Sequence, residues 1–93
     1  MPQTLNQLIA GESRPPASGA WLAVADPATA RHLRDCPDGD SRDVDAAVAA
    51  AQAAAPAWAA LPAPQRARWL DRLADALESR IDEFARAESD DAG

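Results

Sequence analysis

Asp40-Ser41-Arg42-Asp43-Val44-Asp45-Ala46-Ala47-Val48 marks the point at which the period of the chain changes. From there Val44, Ala47, Val48, Ala51 and Ala55 recur at spacings of three and four, the mark of one buried helical face. Asp40 or Ser41 can accept a hydrogen bond from the free amides of a first helical turn. Asp43 and Asp45 sit where the helix dipole favours negative charge. The spacing predicts a helix over 41–55. Pro56 should end it, because it lacks the amide the ladder needs and disfavours helical geometry in the residue before it.

On the C-terminal side, Pro62-Ala63-Pro64 resets the chain, and Pro64 suits the first position of a new helix. Leu70, Leu73, Leu77, Ile81 and Phe84 then form a continuous apolar stripe, with Asp71, Arg72, Asp75, Glu78, Asp82 and Arg86 on the other face. The pattern predicts a second, long amphipathic helix over 64–89, about 37 Å from end to end. Its stripe needs a covering surface, and the alanine face of the first helix covers only part of it.

On the N-terminal side, residues 1–40 hold five of the eight prolines, three of the four glycines and no helical periodicity. Leu8-Ile9-Ala10, Trp21 to Ala25 and Arg31 to Cys36 read as short extended stretches separated by turns at Gly11, Ser18-Gly19, Asp26-Pro27 and Pro37-Asp38-Gly39. The predicted class is α+β: an antiparallel β-hairpin or meander over 1–40 followed by two α-helices.

Of the 44 hydrophobic residues in this 93-residue chain, 25 are alanine, and Leu, Ile, Val, Phe and Trp together number 17. So little large apolar surface, with a net charge of −6, borders on disordered composition. The chain is therefore expected to need a partner surface. Acidic groups outnumber basic ones 15 to 9 with no basic stripe, which argues against a nucleic-acid partner, since a phosphate backbone requires clustered cations. No apolar run approaches the roughly 18 residues of a membrane span, and no basic segment leads into an apolar signal core. A cytoplasmic location without membrane contact is expected, and the single cysteine agrees with a reducing compartment.

Few residues offer chemistry. His32 and Cys36 are the nucleophile and base candidates, yet four residues along an extended strand put them about 13 Å apart, outside the reach a catalytic pair requires. A metal set of His32, Asp35, Cys36 and Asp38 lacks the paired spacings that make zinc motifs specific. Glu78 and Asp82, four apart, read as the wet face of a helix, and Asp90-Asp91 as a fraying helix end. Trp21, Trp58 and Trp69 read as core or interface anchors rather than a stacking platform. The glycines at 11, 19, 39 and 93 are too scattered for a phosphate-binding turn.

The order of these motifs resembles the opening segment of the aldehyde dehydrogenase superfamily. Leu8-Ile9-Ala10-Gly11-Glu12 is similar to its first strand and turn, usually Ile-Asn-Gly-Glu, and Asp26-Pro27-Ala28-Thr29 to its Asn-Pro-Ala-Thr-Gly turn. Arg42 to Val48, Pro56-Ala57-Trp58 and the Arg66, Leu70, Leu73, Ala74, Leu77 pattern follow in family order, and Glu88 to Gly93 resembles Glu-Ser/Thr-x-Asp-x-Gly-Lys-Pro up to the Lys. The ending resembles muconic-semialdehyde dehydrogenases in particular. Three departures stand out: Ala10 replaces Asn, Ala30 stands where the family favours Gly, and His32, Arg34 and Cys36 take positions where an apolar strand face is usual, so that strand should pair poorly.

The resemblance implies that the whole chain, 1–93, is an N-terminal fragment of a larger α/β enzyme. That enzyme oxidises an aldehyde to an acid through a thiohemiacetal on cysteine, with hydride transfer to NAD or NADP. The family's catalytic Cys, general-base Glu, oxyanion-stabilising Asn and cofactor contacts match no residue here. The chain is accordingly expected to hold no catalytic, cofactor-binding or metal residue, to be inactive alone, and to partner the remainder of such an enzyme or a homo-oligomer. The alternative is a standalone interaction or self-association module using the Leu70–Phe84 stripe.

Overall fold

The computed structural model describes residues 3–93. Strands precede helices, as the α+β reading requires: β1 (Gln3–Thr4), β2 (Gln7–Ile9), β3 (Glu12–Arg14), β4 (Trp21–Ala25), β5 (His32–Pro37), then α1 (Ser41–Ala60), α2 (Ala63–Glu78) and α3 (Ile81–Ala92).

β2 and β3 form an antiparallel hairpin in the register Gln7↔Arg14, Leu8↔Ser13, Ile9↔Glu12. Its two-residue turn, Ala10-Gly11, has φ of 55° and 74°, the left-handed pair that matches the twist of the flanking strands. Glycine adopts such angles freely, but a Cβ at Ala10 meets the following carbonyl. A separate sheet has the order β1-β5-β4, with β4 antiparallel and β1 parallel to β5. The stretch expected to pair poorly is thus the central strand. Pairing is a main-chain property, and its polar side chains find partners: His32 Nε2 lies 2.9 Å from Asp35 Oδ1, and Arg34 bonds Asp91.

The β4–β5 turn is tied by Asp26 N–H to the Arg31 carbonyl at 2.8 Å and Ala28 N–H to the Asp26 carboxylate at 2.8 Å. It closes through Ala30 at φ 61°, so alanine takes the left-handed geometry at the position where the sequence departs from glycine. Ala30→Gly should therefore raise stability by about 1 kcal/mol, the left-handed penalty of about 1–2 kcal/mol less the extra chain entropy of glycine. Ala10→Asn should act in the same direction with a smaller gain. Denaturant midpoints of the two variants would show it, and a fall in either midpoint would contradict this account of the turns.

The helices depart from the predicted boundaries. The helix expected over 41–55 runs to Ala60 with Pro56 inside it. Alanine on both sides of Pro56 holds helical geometry across the missing amide, even though proline costs about 3 kcal/mol in a helix interior. The pre-proline restriction acts one step later, at Leu61, which is extended at ψ 137° ahead of Pro62 and donates its amide to the Trp58 carbonyl at 3.2 Å. The helix expected over 64–89 is two helices. The Ser79 hydroxyl donates to the Ala76 carbonyl at 2.8 Å, a local bond that competes with the ladder. Arg80 then leaves helical geometry at φ −125°, ψ 24°, and its guanidinium reaches forward to Glu83 at 2.8 Å.

Little of this surface is shielded. Among the described residues only Ile9, Pro16 and Asp43 are buried, Ile9 at 7% and Asp43 at 8% exposure. The radius of gyration is 16.7 Å, against about 12 Å for a compact domain of this length. The accessible surface is 7157 Å², against about 5,200 Å² for a globular protein of this mass. The excess of about 2,000 Å² is the size of a substantial protein interface.

Candidate functional site

The candidate chemistry of β5 does not assemble. His32 Nε2 is engaged by Asp35 Oδ1 and, at 3.0 Å, by the Arg34 carbonyl. Cys36, half-buried, sits across from Leu22 on β4, whereas His32 sits across from Ala25 beyond an irregularity in the register. Of the four candidate metal ligands the structure brings together His32 and Asp35 alone, and no cluster of three such side chains occurs among the described residues. Glu78 and Asp82 fall on either side of the Ser79-Arg80 break. The three tryptophans lie on β4, α1 and α2, at 37%, 43% and 52% exposure. None of them anchors a core within this chain; Trp69 carries the Arg72 guanidinium over its ring at 4.6 Å.

The structure instead concentrates polar organisation at the start of α1. Asp40 caps the helix by accepting from Arg42 N–H at 2.9 Å, and the Asp43 carboxylate returns the bond by accepting from Asp40 N–H at 3.0 Å. This is a reciprocal capping box with aspartate in place of the usual glutamate. The other Asp43 oxygen accepts from the Gln7 side-chain amide and from Ala17 N–H, both at 3.0 Å. One carboxylate thus joins the hairpin, the loop after it and the first turn of α1. Gly39 fits beside it because any side chain there would come within 2.8 Å of Gln7 Oε1. The Gln7 amide, the Asp40 N–H and the Ala17 N–H hold Asp43 below the usual carboxylate range. Asp40 is lowered mainly by the Arg42 guanidinium bonded to it. Sequence reasoning placed Asp43 only in the helix dipole. The spacing Asp40-x-x-Asp43 is the signal that could have revealed the box, while the link to Gln7 has no local signature.

Two further features define what the chain can do. Arg66, at the start of α2, donates to the carbonyls of Leu61 and, at 3.4 Å, Ala59. It supplies to the end of α1 the cation that the last turn of that helix lacks. This fixes the elbow between the two helices. Beyond it, Leu70, Leu73, Leu77, Ile81 and Phe84 are 41–60% exposed. The stripe survives the break at Arg80, since residues on both helices remain uncovered. Contiguous apolar exposure of this kind is a feature that marks interaction surfaces.

Comparison with known proteins gives this surface a context. The model of the aldehyde dehydrogenase family matches residues 14–93. A hydroxyisobutyraldehyde dehydrogenase of Mycolicibacterium austroafricanum is 44% identical over 85 residues, 91% of this chain and 17% of that protein. A 2-aminomuconic semialdehyde dehydrogenase of Bos taurus is 38% identical over 89 residues, 96% of this chain and 18% of that protein. The crystal structure of an NAD-dependent aldehyde dehydrogenase from Sinorhizobium meliloti superposes with a TM-score of 0.91 at 29% identity, covering 97% of this chain and 18% of that one. The chain therefore spans less than a fifth of the length of these relatives. With hairpin, turns and helices all shared and most of its length matched, this chain belongs to the aldehyde dehydrogenase family.

Proposed function

We propose that this chain is the N-terminal scaffold of an aldehyde dehydrogenase, inactive alone, whose apolar stripe is covered by the remainder of the enzyme. The observation that carries the reading is the exposed run from Leu70 to Phe84 on a chain whose fold matches one part of a much longer enzyme. The complete enzyme would oxidise an aldehyde to a carboxylic acid with NAD or NADP in the cytoplasm, its thiol, base and cofactor contacts coming from outside residues 1–93. His32 and Cys36 take no part, consistent with the engagement of His32 by Asp35. Aldehyde selectivity lies elsewhere too, because relatives named for different aldehydes resemble this segment at 44% and 38% identity.

The test supplies the 93-residue chain to the Mycolicibacterium relative from which the matching N-terminal residues have been deleted, and follows NAD reduction over a panel of aldehydes. The chain alone should give no turnover, and the mixture should recover activity that the truncated relative lacks. Turnover by the chain alone that survives Cys36→Ser would overturn the reading.

A further inference from the structure

We propose that the Arg34–Asp91 ion pair is a latch that seats α3 against the sheet and so holds the two halves of the Leu70–Phe84 stripe in line for the surface that covers them. The inference rests on the reading above for what the stripe meets, and adds how the stripe is kept in one piece.

The stripe crosses a hinge. Leu70, Leu73 and Leu77 lie on α2, Ile81 and Phe84 on α3, and between them the backbone leaves helical geometry at Arg80. Among the described residues the last amide bonded back to α2 is that of Arg80, on the Leu77 carbonyl at 3.1 Å. The ladder resumes with Phe84 on the Arg80 carbonyl at 3.2 Å. A few residues at the end of an element are enough to absorb a rigid-body swing. Beyond the hinge the first turn of α3 is stiffened by the Arg80 guanidinium, which pairs with Glu83 at 2.8 Å and lies 5.7 Å from the centre of the Phe84 ring.

The far end of α3 is held by charge. Arg34, in the central strand β5, bonds Asp91 in the last turn of α3, 57 residues along the chain. Among the described residues no other side-chain hydrogen bond joins α3 to either sheet. The Arg34 side chain is 15% exposed and that of Asp91 52%, so the guanidinium is largely enclosed and the carboxylate is the partner free to leave. Gly93 completes the seat, since a Cβ there would come 3.4 Å from Pro27 Cβ in the β4–β5 turn. Between hinge and latch the helix stands off β5 across an open cleft of about 480 Å³. α3 carries five acids and one arginine, and Arg34 is the one arginine of β5. An arm hinged at one end and tied at the other has its angle set by the tie. The direction of Ile81 and Phe84 relative to Leu70, Leu73 and Leu77 therefore follows the Arg34–Asp91 pair.

The experiment places spin labels at Ala23 on β4 and Ala85 on α3 of the 93-residue chain, in a Cys36→Ser background, and measures the distance between them. The parent should give one narrow distance. Asp91→Asn and Arg34→Gln should each add a longer component, enlarging the open population about 1.5- to 5-fold, the range typical of a partly exposed ion pair. The double variant should be no more open than either single one, because both changes remove the same bond. Distances that ignore both substitutions, or single effects that simply add, would overturn the latch. Should a variant lose helicity, the unaltered chain decides: raising ionic strength from 0.01 to 1 M cuts the screening length from about 30 to about 3 Å, and a distance that does not respond removes the latch. In the complementation assay above, Asp91→Asn should raise the chain concentration needed for half-maximal recovery by about the same factor. An unaltered chain that never complements would sink the reading of the enzyme and with it the alignment role, whereas the spin-label distances judge the latch itself.

Discussion

An Asp43→Ala chain is expected to exchange the amide hydrogens of Ala17 and Asp40 about 2- to 30-fold faster than the parent, the range that loss of a helix-capping side chain produces. Both amides end on the Asp43 carboxylate, each at 3.0 Å, so they report the junction directly. The same variant strands the Gln7 amide, which donates to Asp43 at 3.0 Å, and frees the hairpin from α1. Acid should reproduce the effect. Three donors, led by the Gln7 side chain, hold the Asp43 carboxyl below its ordinary value. A depressed value means that the junction's contribution is complete above the ordinary aspartate range and disappears as pH falls through the folded value. Protection at Ala17 and Asp40 should therefore be level from neutrality to about pH 4 and decline below it. Exchange that is indifferent both to Asp43→Ala and to acid would remove Asp43 from the centre of this account.

The second large effect concerns Leu73 and Leu77, and it depends on what surrounds them. In the isolated chain both are exposed, and truncating either to alanine should change stability by no more than about 0.5 kcal/mol, as at other surface positions. In an assembled enzyme in which the stripe is covered, the same Leu→Ala changes should cost about 2–5 kcal/mol each, the penalty for emptying a packed site. Denaturant midpoints of the complemented enzyme, set beside the helicity of the isolated variants, measure the contrast. Equal and small effects in both settings would mean that the stripe is not the covered surface.

Local signals in the sequence were sufficient where the physics is local. The start of α1 at Asp40-Ser41, the reset at Pro62-Ala63-Pro64 and the turn at Ala10-Gly11 follow from capping, missing amides and turn chemistry, all within a few residues. The family resemblance was legible for the same reason, since its motifs are mostly these turns and helix openings. Long-range features were not. The parallel pairing of β1 with β5 brings Gln3 beside Arg34, and no periodicity encodes such a meeting. Pro56 lies within α1 because the alanines around it favour helical geometry strongly enough to outweigh the signal of that single residue. The unbroken Leu70–Phe84 pattern concealed the break at Ser79-Arg80, because apolar spacing records which residues share a side and not whether the backbone stays helical between them. Asp43 was visible as an acid in a first turn, whereas its bonds to Gln7 and Ala17, 36 and 26 residues away, belong to the tertiary structure.

β4 closes its sheet on one side, with β5 as its only neighbour among the described residues. Its five residues, Trp21-Leu22-Ala23-Val24-Ala25, contain no charge and no proline. An open strand edge of that composition is a template on which another extended segment can polymerise. A copy of this chain that fails to find its place in a larger assembly is thus a seed for aggregation. Its lifetime in a cell would be set by chaperones and proteases as much as by its own stability.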